Sequence, residues 1–252
     1  MSEANMSRYF VNALRSVKTK CLAHLPGLCA GCGQLDGSRI CEDCIFRFIP
    51  PVPRCPRCAI GCASDALICG TCLRDPPFFD TGRAAVDYAF PWARLITQFK
   101  FHEGLDLADS FVDLMLKNEP PLNGSSSSLI LPVPLGKARI RQRGFNQSWE
   151  LARRLAQRLD WPSRSDFLLK TRDTPEQMSL PLHGRASNLK GVFALAAKAR
   201  EFLEGQHVIL VDDVMTTGAT MNILARLLKE AGAASVGVWI FARTPPPHSV
   251  SL

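Results

Sequence analysis

Four Cys-x-x-Cys pairs in one short stretch constrain this chain more than any other feature of its sequence. Cys29 and Cys32 with Cys41 and Cys44 form one set, and a second set follows with Cys55, Cys58, Cys69 and Cys72. Two such pairs supply four thiolates, which complete a tetrahedron around one zinc ion. A segment of this length builds little core of its own, so metal binding would supply the missing folding free energy.

Metal binding is favoured over disulfides because no secretory leader precedes the cysteines, and disulfides need an oxidising compartment. A redox dithiol or an iron–sulfur site remains open, and so does an interleaved pairing of the four pairs. Because protein thiolates fill every position, we expect one or two structural zinc ions and no catalytic one. Cys21 and Cys62 stand outside the pattern and are interpreted as buried or free thiols.

Composition divides the chain into a predicted leading helix (1–28), a double zinc ribbon (29–76), an α/β domain (83–244) and a tail (245–252). In the third block, short apolar runs alternate with amphipathic segments. This alternation predicts a mostly parallel sheet flanked by helices. The expected strands are 84–90, 129–133, 208–211 and 236–241, and the expected helices are 92–101, 105–116, 146–158 and 219–231.

A buried strand, VILV at 208–211, leads into two carboxylates and then into a loop of threonines and glycine before a helix. Gly218 would allow a ligand to approach the backbone, and the N–H groups at a helix start attract anions. Asp212 and Asp213 are acceptors for sugar hydroxyls. An N-capping aspartate beside an ordinary turn is the alternative, but it explains only one acid and one hydroxyl.

The segment VILVDDVMTTGAT resembles the 5-phosphoribosyl-1-pyrophosphate motif of type I phosphoribosyltransferases. The resemblance implies that Asp212 and Asp213 hold the ribose hydroxyls. It also implies that the 5-phosphate is bound by the loop that follows, which consists of Thr216, Thr217, Gly218, Ala219 and Thr220. Phosphoribosyl pyrophosphate with Mg²⁺, or a nucleotide, would then be the ligand.

A basic segment follows the strand at 129–133 and contains Lys137, Arg139, Arg141 and Arg143. These cations could neutralise pyrophosphate or contact nucleic-acid phosphates, and a solvated basic face is the plainer alternative. We expect Arg141 and Arg143 to face the pyrophosphate. Phe145 and Trp149 are candidates for stacking on a base.

The polar stretch 171–193 has the length and composition of a mobile lid.

The order of motifs along the chain closely resembles that of the ComF family. A double zinc ribbon is followed by VPL…RGFNQ, then by RDTPEQ, and then by VDDVMTTGAT. Gly136 and Ala138 stand where that family is expected to be more basic. The resemblance implies a cytoplasmic protein that supports uptake or use of external single-stranded DNA, working with competence machinery at the inner membrane.

Three functions stay open at this point: an accessory protein of DNA uptake, an active phosphoribosyltransferase, and a non-catalytic sensor of a phosphoribosyl ligand. No nucleobase-specificity segment is recognisable after Phe241, so enzyme status is undecided. The net charge of +7 suits a phosphate-rich ligand. No uncharged apolar run of about 18 residues occurs, so no membrane-spanning helix is expected.

Overall fold

A computed structural model describes residues 27–63, 68–101, 104–117, 127–172 and 191–245. Contacts within the chain divide it into two compact units, 1–49 and 50–252. The predicted leading helix lies outside the described residues apart from Gly27–Leu28, which form a strand. Most of the predicted tail also lies outside them, and so does Cys21.

The smaller unit holds a two-stranded antiparallel ribbon and one helix in its described part. Strand β1 (Gly27–Leu28) pairs with β2 (Leu35–Asp36), and helix α1 (Glu42–Phe48) follows. Cys41 caps the helix, because its Sγ accepts a hydrogen bond from the Cys44 N–H. A potential metal ligand therefore also begins the helix.

The larger unit contains six described strands and seven described helices. The strands are β3 (Thr81–Asp87), β4 (Leu129–Pro132), β5 (Leu168–Lys170), β6 (Phe193–Leu195), β7 (His207–Met215) and β8 (Ser235–Arg243). The helices are α2 (Gly70–Arg74), α3 (Trp92–Phe99), α4 (Leu107–Leu116), α5 (Lys137–Arg143), α6 (Gln147–Leu159), α7 (Ala199–Leu203) and α8 (Ala219–Glu230).

The central sheet is wholly parallel, with strand order β3-β8-β7-β4. In register, Val208 of β7 lies between Leu129 of β4 and Val236 of β8. This order confirms the predicted parallel sheet. It also places β7 and β8 at the centre, where both faces of a strand must be covered.

The two faces of the sheet have separate apolar partners. Val208, Leu210 and Val238 belong to the same buried cluster as Leu224 and Leu228 of α8. On the other face, Phe241 of β8 stacks on Phe111 of α4 at 3.8 Å and meets Trp92 of α3 edge-on at 5.9 Å. Alternate residues of β8 thus point into different helical layers, which explains why the central strands are apolar throughout.

The predicted elements of the α/β domain all exist, with shifted ends. Four short elements were not predicted: helices α5 and α7 and the antiparallel pair β5 and β6. This pair flanks the predicted lid, and Thr171 N–H donates to the Val192 carbonyl at 2.8 Å. Residues 173–190 of the lid lie outside the described part of the chain.

Candidate functional site

Asp212 and Asp213 lie near the carboxyl end of β7, the edge at which parallel sheets bind ligands. Asp213 is only 4% exposed, and its carboxylate pairs with the Lys100 ammonium at 2.9 Å. Lys100 comes from the end of α3. Burial raises the pKa of Asp213, but Lys100 outweighs burial, so the pKa lies below its ordinary value.

Asp212 is in a different environment from its neighbour. Its Oδ1 accepts from the Ser148 hydroxyl at 2.6 Å and from the Asp213 N–H at 2.9 Å. Burial, and then the charge of Asp213, raise the pKa of Asp212 to about 8, while the Ser148 bond opposes the shift. The two acids therefore carry about one negative charge near neutral pH, which Lys100 balances.

The loop after β7 reaches the start of α8 through Gly218. Gly218 has φ of +82°, which an L side chain adopts only with strain, and it occupies the N-cap position of α8. Thr216 and Thr217 are exposed, and the Thr217 hydroxyl accepts from the Ala219 N–H at 3.3 Å. A helix of 12 residues thus begins beside two acids, with its positive end toward the same space.

Helix α5 separates the basic residues into two faces. Arg139 and Arg143, four residues apart, line the cavity beside the acids, whereas Arg141 is exposed and lies outside the lining. Lys137 is also exposed. The helical period explains this division, because residues four apart share a face and residues two apart do not. Of the two predicted pyrophosphate contacts, the structure brings only Arg143 to the site.

The loop, the acids and the cations enclose one cavity of about 440 Å³. The predicted residues in its lining are Asp212, Asp213, Thr216, Thr217, Gly218, Ala219, Thr220 and Arg143. Arg139, which the sequence had grouped with the other basic residues, also lines the cavity, and sequence reasoning missed further lining residues such as Tyr88, Lys100 and Lys170. Tyr88, Lys100 and Lys170 follow no motif, and only knowledge of the strand order would have brought them here.

The two candidate stacking aromatics do not line this cavity. Phe145 packs toward Phe99 with ring centroids 6.2 Å apart, and Trp149 is half-buried on α6. Phe193, the last residue of the predicted lid, does line this cavity, and Lys170 Nζ lies 5.9 Å from its ring centroid. An aromatic face is thus present, but from β6 and not from the basic segment.

The eight paired cysteines form two groups of four, with the membership predicted from their order. Within each group all sulfur atoms lie within 4.8 Å of one another. Measured separations are 3.8 Å for Cys29–Cys44, 3.7 Å for Cys32–Cys41 and 3.6 Å for Cys58–Cys69. Tetrahedral zinc with Zn–S bonds of about 2.3 Å requires edges of about 3.8 Å, so both groups could hold zinc.

Backbone N–H groups point at several of these sulfur atoms, as expected for thiolate ligands. Cys29 Sγ accepts from Gly31 and Cys41, and Cys55 Sγ accepts from Cys69. Burial raises the pKa of Cys55, but these N–H bonds outweigh burial and leave the pKa at about 7. The pKa of Cys29 falls to about 6 for the same reasons.

The second cysteine group belongs to the core of the larger unit. Cys55, Cys58 and Cys72 share a buried cluster with Phe79 and with Met221 of α8. Composition had grouped both cysteine sets in one block, whereas contacts place the second set in the unit that contains the sheet.

Comparison with known proteins agrees with this geometry. The family model described as a phosphoribosyl transferase domain matches residues 146–248, which include the acids and the loop. DNA utilization protein YhgH of Salmonella typhimurium is 36% identical over 228 residues, 87% of this chain and 98% of its own length. Competence protein F of Haemophilus influenzae is 31% identical, over 85% of this chain and 95% of its own. The chain belongs to the ComF family.

A more distant ComF relative, competence protein ComFC of Bacillus subtilis, is 26% identical over 82% of this chain and 85% of its own length. Among solved structures, the B. subtilis glutamine phosphoribosylpyrophosphate amidotransferase overlaps with a TM-score of 0.38 and 19% identity. It covers 64% of this chain and 32% of its own. That likeness is too slight to argue from, so the type I phosphoribosyltransferase fold rests on the family model and the parallel sheet.

None of the helices in the described ranges has the length and the apolar composition needed to span a lipid bilayer.

Proposed function

We propose that the cavity binds a 5-phosphoribosyl ligand, either phosphoribosyl pyrophosphate or a nucleotide. The proposal rests on the observation that Asp212 and Asp213 line the same cavity as the start of α8. Two acids suit the ribose hydroxyls, and the loop N–H groups suit the 5-phosphate. Arg139 and Arg143 add positive charge for further phosphates. Mg²⁺ would neutralise pyrophosphate charge, and carboxylate oxygens are the ligands it accepts.

Calorimetry on the zinc-loaded protein tests this proposal with ribose 5-phosphate, phosphoribosyl pyrophosphate plus Mg²⁺, and AMP as probes. A hydrogen bond to a charged group contributes about 1.5–3 kcal/mol, so Asp212→Asn with Asp213→Asn should weaken binding by at least about tenfold. Asp109→Asn, an exposed acid on α4, is the matched control. Equal affinity for the double variant and the control would reject the proposed sugar contacts.

We further propose that the chain supports uptake or use of external single-stranded DNA. Its relatives are named for DNA utilization and competence. Lys137 and Arg141 are exposed on α5 and are suited to bind the phosphates of single-stranded DNA. Arg139 and Arg143 line the cavity instead. A cytoplasmic location and a partner in the competence machinery at the inner membrane stay predictions.

Paired variants separate these two roles. Lys137→Ala with Arg141→Ala should weaken single-strand binding and lower its salt slope by about 1.4, because each phosphate contact contributes about 0.7. Ribose 5-phosphate affinity should stay unchanged. Arg139→Ala with Arg143→Ala should weaken phosphoribosyl pyrophosphate binding instead. If both pairs reduce DNA binding alike, DNA and nucleotide share one site.

Catalysis is the second candidate, supported by cations from α5 placed beside the acids in one cavity. An acceptor would attack the anomeric carbon while the bond to pyrophosphate breaks, and the cations would stabilise the leaving group. Release of pyrophosphate on addition of candidate bases tests this reaction. Binding without release for every base would favour a ligand sensor.

A further inference from the structure

The second cysteine group is attached directly to the sheet that carries the proposed phosphate loop. The carbonyl of Pro56, inside the Cys55–Cys58 knuckle, accepts from the Gly82 N–H of β3 at 2.9 Å. A Cβ on Gly82 would lie 2.5 Å from the Arg57 carbonyl oxygen, so glycine is required for this approach. The backbone of the Cys55–Cys58 knuckle is therefore in direct contact with the backbone of β3.

One buried side chain spans the distance from this knuckle to the loop. Arg243, the last residue of β8, is 5% exposed. Its Nε donates to the Cys58 carbonyl at 3.0 Å, and its Nη1 donates to the Met215 carbonyl at 3.0 Å. The same Nη1 also donates to the carbonyls of Thr216 and Thr244. A single planar guanidinium thus joins a potential zinc ligand to the first residues of the loop.

These bonds fix the direction of the loop amides. In a trans peptide the C=O of one residue and the N–H of the next point in opposite directions. Because the Met215 and Thr216 carbonyls point at Arg243, the N–H groups of Thr216 and Thr217 point away from it. Both threonines line the cavity. The Thr244 N–H also donates to the Met215 carbonyl at 3.0 Å, and together with it Arg243 holds the loop in the orientation that an anion site needs.

The cysteine group also provides a counter-charge for the buried Arg243 cation. Its hydrogen-bond partners are four neutral carbonyls, and a buried cation needs a counter-charge. Four thiolates around Zn²⁺ carry a net negative charge, and the knuckle places this charge next to the guanidinium. The metal-bound state of the knuckle thus favours the Arg243 position seen here.

We propose that Arg243 is a positioning residue that couples metal binding at Cys55, Cys58, Cys69 and Cys72 to ligand affinity at the phosphate loop. Because coupling is reciprocal, a ligand in the cavity must also tighten the metal in this group. The inference rests on the proposed phosphoribosyl ligand. A lysine cannot replace the arginine, since one ammonium nitrogen does not span from Cys58 to Thr216.

Zinc release to a chelator, followed with and without saturating ribose 5-phosphate, tests the coupling. In the wild type, release from the second group should slow by about fivefold, the lower end of ordinary coupling. Release from the Cys29–Cys44 group should not respond. In Arg243→Lys the ligand should no longer slow release, whereas an arginine that only stabilises the core would leave the ratio unchanged.

Arg54→Lys is the matched control. Arg54 donates to the Ala59 carbonyl at 3.1 Å and to Asp87 at 2.8 Å, so it supports the same knuckle without touching the loop. This variant should speed release with and without ligand, preserve their ratio, and identify which kinetic phase belongs to the second group.

Calorimetry on the same samples separates the outcomes. If ribose 5-phosphate binds the wild type but leaves both release phases unchanged, the coupling is overturned, even where Arg243→Lys fails to fold. If ribose 5-phosphate, phosphoribosyl pyrophosphate and AMP all fail to bind, the proposed function fails and the coupling fails with it.

Discussion

Replacement of Lys100 by Met should destabilise the protein in a way that depends strongly on pH. The Lys100 ammonium lies 2.9 Å from the Asp213 carboxylate, whose side chain is 5% exposed. Removing one partner of a buried pair costs about 3–5 kcal/mol. The Lys100 side chain is 26% exposed, so solvent screening reduces the expected loss to about 2–3 kcal/mol near neutral pH.

The pH dependence follows from the direction of the Asp213 shift. In the wild type its pKa lies below the unfolded value, so it adds stability above the unfolded pKa and loses it in acid. Without Lys100, burial and Asp212 should raise that pKa, so the variant is most penalised at neutral pH. The difference between the two proteins should narrow as the pH falls, because Asp213 of the variant takes up a proton at a higher pH than Asp213 of the wild type does.

Urea unfolding at neutral pH and at about pH 4.5 measures this difference. Lys117→Met, at the exposed end of α4, is the control for loss of a surface cation and should change stability little at either pH. A Lys100→Met penalty of the same size at both pH values would show that the side chain acts by packing, and the charge argument would be refuted.

Four further variants test the site and the two cysteine groups. Gly218→Ala should cost about 1–2 kcal/mol in thermal unfolding and weaken ribose 5-phosphate binding, because φ is +82°; unchanged affinity would remove the loop from the site. Ser148→Ala should raise the pKa of Asp212 further, so the pH at which calorimetric affinity for ribose 5-phosphate rises should be higher than in the wild type. An unchanged dependence of affinity on pH would contradict this. Cys55→Ser should lower both zinc content and the melting temperature of the sheet-containing unit, whereas Cys29→Ser should lower zinc content alone.

The sequence predicted the features that depend on local spacing. The order of the four Cys-x-x-Cys pairs predicted the membership of both thiolate groups, although it left an interleaved pairing open. Wholly apolar runs such as Val208–Val211 indicated buried strands, and the parallel sheet followed from their alternation with helices. In each case, neighbours along the chain carry the information.

Features that depend on the fold were not predictable in the same way. Lys100 ends α3 and reaches Asp213 only because of how the fold places α3 beside β7. The sequence favoured Arg141 over Arg139 as a pyrophosphate contact, but helix α5 places Arg139 in the cavity lining and leaves Arg141 exposed to solvent. Helix α5 has no buried residue, so its sequence lacks the apolar periodicity from which a helix could have been predicted.

A crystal soaked with phosphoribosyl pyrophosphate and Mg²⁺ tests the central claim most directly. The account predicts the 5-phosphate within hydrogen-bond distance of the amides at 216–220, with the ribose hydroxyls on Asp212 and Asp213. Phosphate density held by Arg139 and Arg143 alone, with the start of α8 unliganded, would contradict it.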